Sequence, residues 1–258
     1  MAIIHCHDCK NEVSDAALNC PYCGYPIRAF DFALSKHRES AIKSFTSQGG
    51  LFALNPPLIL IQICPATSIT NNAEYPQFVE RCSQLNTLFF HGDSPAVPHR
   101  ISTGVFMRHP YNVSAGAANA FINVEENGIV NIGDSYSFDR GNSKAPVFFA
   151  FDFFLHDLKM QLGRFVNIYS ETKVPEPYWL QISFLGIANT HLGSSVFRFP
   201  DIENGTAIEL DFRIKPIELR RDDVNQDGVY LSIGNAIWHG YGKPSCPIEL
   251  VQRIFAEK

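Results

Sequence analysis

The chain has 258 residues, of which 45% are hydrophobic and 18% are charged, and its formal net charge is −5. This apolar content suffices for a sizeable core and excludes a wholly disordered protein, while the acidic balance argues against a broadly basic nucleic-acid-binding surface. The length suits one large domain, or a medium domain with a small one.

Two Cys-x-x-Cys pairs stand near the N-terminus: Cys6 with Cys9, and Cys20 with Cys23. This spacing is typical of two tight turns that direct four thiolates to one tetrahedral ion, whereas two disulfides or a redox pair are the alternatives. Residues 1–28 hold few large apolar side chains, so metal binding would supply the folding energy that so small a core cannot. We therefore predict a zinc ribbon over residues 1–28, in which structural Zn²⁺ is closed by four sulfurs and has no open position for catalysis.

The remaining cysteines, Cys64, Cys82 and Cys246, are scattered and odd in number, which fits a reducing compartment better than secretion. The first residues lack the basic region and long apolar run of a signal peptide. No apolar stretch is long and uncharged enough to span a bilayer. We expect a cytoplasmic protein that makes no membrane contact.

The first elements after the ribbon alternate between helix and strand. Residues 29–50 read as a connecting helix that ends at Gly49-Gly50. Residues 58–64 form a continuous apolar run between prolines, which predicts a buried strand. Residues 75–85 predict a short helix with Pro76 near its first turn.

Further along, residues 120–132 predict a hairpin with Asn127-Gly128 in a type I′ turn. An apolar stripe predicts the longest helix over 143–165, capped by Ser143. Strands are predicted over 178–185 and, from strict alternation, over 208–214, and a last helix over 229–239. This order favours an α+β fold: a small N-terminal zinc ribbon followed by one larger mixed α/β domain over residues 51–258.

One stretch matches the first half of a calcium-binding loop. Asp223, Asn225 and Asp227 alternate, and Gly228 stands at the sixth position. The bidentate Glu expected at position twelve is replaced by Gly234, so the alternative is an ordinary turn in which Asp227 caps the next helix.

Acidic and histidine residues suggest weaker catalytic hypotheses. Asp201, Glu209 and Asp211 resemble the acids of metal-dependent nucleases without the usual lysine, and they suit equally the wet face of a strand. Asp152 and His156 lie one helical turn apart, as a base and its orienting acid would, or as a surface ion pair. A loop cluster has no established metal spacing and reads as solvated side chains: His91, Asp93, His99 and His109.

Several stretches resemble the C-terminal region of bacterial Schlafen-like, AlbA-type proteins, which are described as DNA-binding or ATP-binding. The similarity covers roughly residues 50–245 and rests on three short motifs: Asn127-Gly128-Ile129, Leu180 to Ile187, and Ile233 to Pro244. The AlbA-type domain itself is absent and a zinc ribbon stands in its place. The resemblance therefore implies a bacterial protein, and it carries over neither ATP binding nor DNA binding nor a catalytic residue.

Together these features favour a non-catalytic, zinc-binding accessory protein that docks to another macromolecule, most simply a protein. The first alternative is nucleic-acid binding through the ribbon and the basic residues of the following helix, Lys36, Arg38 and Lys43. The second is a metal-dependent hydrolase that uses Asp201, Glu209 and Asp211.

Overall fold

A computed structural model gives the fold of the chain. It describes residues 3–6, 9–14, 17, 20–23, 27–46, 56–71, 73–84, 99–101, 104–108, 120–139, 147–193, 205–207 and 209–256. Helices and sheets mix along the chain, and the predicted α+β class is confirmed.

The N-terminal segment contains a two-stranded antiparallel hairpin. Strand β1 (Ile3–His5) pairs with β2 (Glu12–Ser14). The two Cys-x-x-Cys pairs follow β1 and β2 respectively.

A large antiparallel sheet forms the centre of the protein. Its strands lie in the order β12-β10-β3-β7-β6-β5-β4, and β13 pairs with β10 beside β12. In chain order they are β3 (Leu58–Pro65), β4 (His99–Ile101), β5 (Gly104–Arg108), β6 (Ala120–Glu125), β7 (Val130–Asp134), β10 (Tyr178–Leu185), β12 (Phe212–Arg213) and β13 (Ile217–Leu219). A smaller sheet joins β8 (Phe138–Asp139), β9 (Phe148–Ala150) and β11 (His191–Gly193).

Helices cover both faces of the large sheet. They are α1 (Ile27–Thr46), α2 (Ala66–Asn71), α3 (Pro76–Ser83), α4 (Phe151–Glu171), α5 (Asp227–Gly240) and α6 (Ile248–Ala256). The main core lies between one sheet face and helices α3 to α6. Helix α1 packs on the other face, so β3 and β10 are buried along their whole length. None of the described helices is both long enough and apolar enough to cross a bilayer.

Several predicted elements are confirmed within a few residues, as helix ends allow. The connecting helix is α1, the buried strand is β3, the short helix is α3 and the last predicted helix is α5. The strand predicted over 178–185 is β10.

The longest helix begins later than predicted. Residues 148–150 form β9, which pairs with β8 and β11, and the helix runs from Phe151 to Glu171. Phe149 is fully buried as a strand residue, with its ring centroid 5.5 Å from that of Phe184 and 5.9 Å from that of Tyr241. Sheet pairing therefore outweighs the helical periodicity at this end, and the predicted cap at Ser143 lies outside the described residues.

The β6–β7 hairpin is where it was predicted, but its turn is of another type. The N–H of Gly128 donates to the carbonyl of Glu125, and the N–H of Glu125 donates to the carbonyl of Ile129. Gly128 has φ +82°, while Asn127 is not among the described residues with positive φ. A type I′ turn needs positive φ at both central residues. The loop therefore has three residues, with the left-handed glycine last.

The predicted strand over 208–214 is mostly absent from the described residues. Within residues 209–214, only Phe212 and Arg213 pair with β10, and Leu210 is 64% exposed. The alternating pattern was wrong here because residues 209 and 210 form a bend. Next to it, the side chain of Asp211 accepts the N–H of Gly186 at 2.7 Å.

Candidate metal centre

The first cysteine pair lies in a tight turn after β1. The N–H of Cys6 donates to the carbonyl of Asn11, and the N–H of Lys10 donates back to the carbonyl of Cys6. Lys10 has φ +60°, a left-handed conformation that lets the chain reverse immediately after Cys9. The second pair occupies the turn over residues 20–23. Two short turns thus face each other, as the spacing predicts.

The four thiols converge. The sulfurs of Cys6, Cys9, Cys20 and Cys23 all lie within 4.8 Å of one another. The Sγ atoms of Cys6 and Cys23 are 3.6 Å apart, and so are those of Cys9 and Cys20. Tetrahedral zinc with Zn–S bonds of about 2.3 Å places its sulfurs about 3.8 Å apart. A disulfide would need about 2.05 Å, and none of these four cysteines forms one.

The surroundings of Cys9 favour a thiolate. The backbone N–H of Asn11 is the main cause that lowers the pKa of Cys9 to about 6; the side chain of Asn11 and the thiols of Cys23 and Cys20 add to it, while burial opposes it. The side-chain amide of Asn11 lies 3.3 Å from the sulfur. Because metal ligation requires the deprotonated form, this arrangement suits a metal ligand.

The four cysteines have a small set of packing contacts of their own. Cys6 and Cys20 are buried, and they pack with Val13 and the half-buried Ile4 in a small cluster separate from the main core. Four protein ligands fill a tetrahedral shell and leave no position for a substrate or a reactive water. Among the described residues, this is the one group of three or more His, Cys, Asp or Glu side chains that lie close enough together to hold a metal ion.

The predicted basic patch on α1 is divided. Lys36 and Lys43 are exposed, but Arg38 is half-buried, and its guanidinium lies 3.3 Å from the hydroxyl of Ser35. Burial is the main cause that lowers the pKa of Arg38, and the positive charge of Arg213 lowers it further. The three side chains therefore do not form one exposed cationic surface.

The stretch that matches a calcium-binding loop in sequence does not have the backbone of such a loop. Residues 221–225 form a 3-10 helix, and α5 begins at Asp227, so positions five to twelve of such a loop are helical. The Asp223 carboxylate accepts the N–H of Arg220 at 2.8 Å and a bond from the Gln226 side chain at 3.3 Å. Asn225 is exposed. Asp223 thus acts as a cap, while Gln226 and not Asp227 stands at the N-cap of α5.

The described residues of the remaining catalytic hypotheses do not come together in one site. Glu209 and Asp211 are exposed, and Asp201 lies outside the described residues. His156 Nδ1 lies 3.4 Å from Asp157 Oδ1, and Asp152 is buried. His91, Asp93 and His109 lie outside the described residues, and His99 is described only as part of β4.

Sequence reasoning missed a polar row on the sheet face beneath α1. Each member is a single amide in a largely apolar strand, and this polar interruption is the signal that would have revealed the row: Gln62, Asn123, Asn131 and Gln181. They occupy directly opposed positions on β10, β3, β7 and β6.

Comparison of the chain with protein-family models, with curated proteins and with solved structures found no match. The resemblance to Schlafen-like, AlbA-type proteins therefore stays a prediction.

Proposed function

We propose that this chain is a zinc-stabilised accessory protein of the bacterial cytoplasm whose N-terminal ribbon docks on another protein. The convergence of four sulfurs supports zinc, because the distances fit a tetrahedral thiolate site. A closed site of this kind shapes a surface and performs no reaction.

The observation that carries the docking role is the exposure of large apolar side chains on this small unit. Tyr22, between the second pair of cysteines, is 67% exposed, and Ile3 on β1 is 72% exposed. Exposed aromatic residues on rigid turns are typical anchors of protein interfaces. Zinc would hold Tyr22 in place by fixing the cysteines on both sides of it.

The test is affinity purification from a lysate of the native host, with zinc-loaded protein as bait. We expect one or more specific partners with the native chain, and loss of them with Tyr22→Ser or after zinc is removed. Leu210→Ser is the matched control, since Leu210 is 64% exposed but lies outside the ribbon. Retention of the same partners by Tyr22→Ser and by the zinc-free chain would disprove docking through the ribbon.

Nucleic-acid binding is the second candidate, favoured by Lys36 and Lys43, which lie seven residues apart on the exposed side of α1. Fluorescence anisotropy with labelled DNA and RNA at low salt tests it. We would expect binding that weakens with salt and with Lys36→Gln. A flat response at low salt excludes it.

A further inference from the structure

A row of buried amides crosses the sheet beneath α1. In cross-strand register, Gln181 lies opposite Gln62, Gln62 opposite Asn131, and Asn131 opposite Asn123. Each of the four is at most 7% exposed. Apolar clusters lie on either side of the row: Leu34 with Trp179 towards one end of α1, and Phe45 with Phe121 towards the other.

The hydrogen bonds within the row leave several of its amide oxygens unpaired. Gln62 donates to Asn131 at 2.7 Å, Asn131 donates to the Glu125 carboxylate at 2.8 Å, and Gln181 donates to the carbonyl of Leu34 at 3.3 Å. Among the described residues, the buried amide oxygens of Gln62, Gln181 and Asn123 have no hydrogen-bond partner. Buried acceptors normally find a donor, because leaving one unpaired costs free energy. Of these three amides, Asn123 is the one that lines a cavity, where a molecule that donates hydrogen bonds would pair its oxygen.

A cavity opens at the Asn123 end of the row, between α1 and the β6–β7 hairpin, with a volume of about 570 Å³. Asn123 and Glu125 line it together with two exposed carboxylates, Glu74 and Glu126. Among its described lining residues there is no lysine or arginine, and His37 is the one basic side chain. The volume is within the range of small-molecule sites and far larger than a metal ion needs.

The cavity also has an apolar part. Ala41 and Phe45 of α1 line it, and both are largely buried. The Glu125 carboxylate is held from below by Asn131, and the Asn127 side chain lies 3.4 Å from its other oxygen. A fixed carboxylate, a buried amide oxygen and an apolar wall therefore meet in one space.

We propose that this cavity binds a small aliphatic amine, of the diamine or polyamine class. An alkylammonium group carries three N–H donors and no acceptor, which matches Asn123 and Glu125, and its methylenes would lie against Ala41 and Phe45. The second ammonium of a diamine would lie near Glu74 and Glu126. This site is independent of the zinc ribbon and of its docking role.

The test is isothermal titration calorimetry of the full, zinc-loaded chain with putrescine and with spermidine. We expect one binding site for each. Glu125→Gln should weaken binding at least tenfold, because it removes the charge that faces the ammonium. Ser44→Trp should abolish it, because Ser44 is an exposed lining residue whose enlargement fills the cavity without disturbing the buried row. Glu249→Gln, an equal loss of charge on the exposed side of α6, should leave affinity unchanged.

Two altered ligands separate hydrogen bonding from charge. 1,4-Butanediol has the length of putrescine without its charge, and we expect no binding. Permethylated putrescine, in which both nitrogens are quaternary trimethylammonium groups, keeps both charges but has no N–H donor. We expect it to bind at least tenfold more weakly. The proposal is overturned if putrescine and spermidine give no heat at millimolar concentration, if Ser44→Trp binds them as tightly as the native chain, or if the permethylated diamine binds equally well. An unchanged circular dichroism spectrum of Ser44→Trp shows that this variant is folded, so that its binding result reports on the filled cavity.

Discussion

Two glycines within helices show how packing decides the effect of a single methyl group. Gly163 lies in the middle of α4, and a Cβ added there meets nothing within 4 Å. Gly234 lies in α5, where a Cβ would come within 3.0 Å of Cys246 Sγ and 3.4 Å of the Phe151 ring. The same substitution should therefore have opposite signs at the two positions.

We predict that Gly163→Ala raises the free energy of unfolding by about 0.5–1 kcal/mol, because alanine loses less backbone entropy in a helix than glycine. Gly234→Ala should lower it by about 1–3 kcal/mol through overpacking. Urea unfolding followed by circular dichroism measures both. Destabilisation by Gly163→Ala would show that an unrecognised contact occupies this part of α4.

The seven cysteines fall into two chemical classes. Cys64, Cys82 and Cys246 are buried in the body of the protein. Burial raises the pKa of Cys82 and of Cys246 to about 12 and raises that of Cys64 further. At pH 8 these thiols stay protonated, and the protonated form is unreactive.

We predict that iodoacetamide at pH 8 leaves Cys64, Cys82 and Cys246 unmodified in the folded protein. The zinc-loaded ribbon should also resist, and a chelator should expose Cys6, Cys9, Cys20 and Cys23 to alkylation. Peptide mass spectrometry assigns the sites. Equal labelling with and without chelator would contradict a metal held by the four sulfurs.

At the scale of elements, the two sides of the sheet are packed differently. Helix α4 buries an apolar stripe that includes Leu155, Leu158 and Leu162 in the main core. Helix α1 has apolar contacts at two places and spans a polar row between them. The α4 side therefore contributes most of the hydrophobic stabilisation, and the α1 side is where a cavity remains.

Tyr169 joins α4 to the β6–β7 hairpin. Its hydroxyl donates to the carbonyl of Gly128 at 2.7 Å and lies 3.3 Å from that of Ile63. Its ring stacks between Phe78 and Tyr178, with centroid distances of 4.5 and 4.7 Å. The hydroxyl is buried, so water cannot replace it at either carbonyl.

We predict that Tyr169→Phe lowers the free energy of unfolding by about 1–2 kcal/mol, because the buried carbonyl of Gly128 loses its side-chain donor while the ring contacts remain. Tyr22→Phe is the control: that hydroxyl is exposed, and its loss should change stability by less than about 0.5 kcal/mol. Chemical denaturation compares the two variants. Equal stability of Tyr169→Phe and the native chain would mean that the hydroxyl contributes nothing to the junction between α4 and the hairpin.

On the scale of the whole molecule, the ribbon and the body have separate cores. The ribbon cluster consists of Cys6, Val13 and Cys20 with Ile4 and Cys9 beside them. The Lys10 Nζ lies 4.0 Å from the carboxylate of Glu218 on β13, which is a long and partly exposed ion pair of little energetic weight. The ribbon thus has only a small apolar cluster of its own, whereas the body has an extensive apolar core.

We predict that removing zinc unfolds residues 3–23 and leaves the body folded. In a ¹⁵N–¹H spectrum, ribbon cross-peaks should collapse towards random-coil positions, whereas those of β3, β10 and α4 should stay in place. Re-adding zinc should restore the ribbon peaks. Loss of the body peaks together with those of the ribbon would refute the independence of the two cores.

The sequence by itself determined those features that depend on local spacing. Cysteine spacing identified the four sulfurs that converge, since a two-residue separation sets the turn that aims two thiolates at one point. The apolar run of β3, the Pro76 start of α3 and the Asn127-Gly128 hairpin were likewise found, because each is governed by the conformations of a few adjacent residues.

Only the tertiary structure decided features that depend on distant partners. Phe148 to Ala150 join a strand because β8 and β11 lie beside them, although their periodicity is helical. Leu210 is exposed because the Asp211 side chain accepts the N–H of Gly186 and holds a bend. Four isolated amides become one row, beside an acidic cavity, through strand register alone. Register and long-range burial arise from contacts between residues far apart in the chain, and no local pattern encodes which strand will be the neighbour.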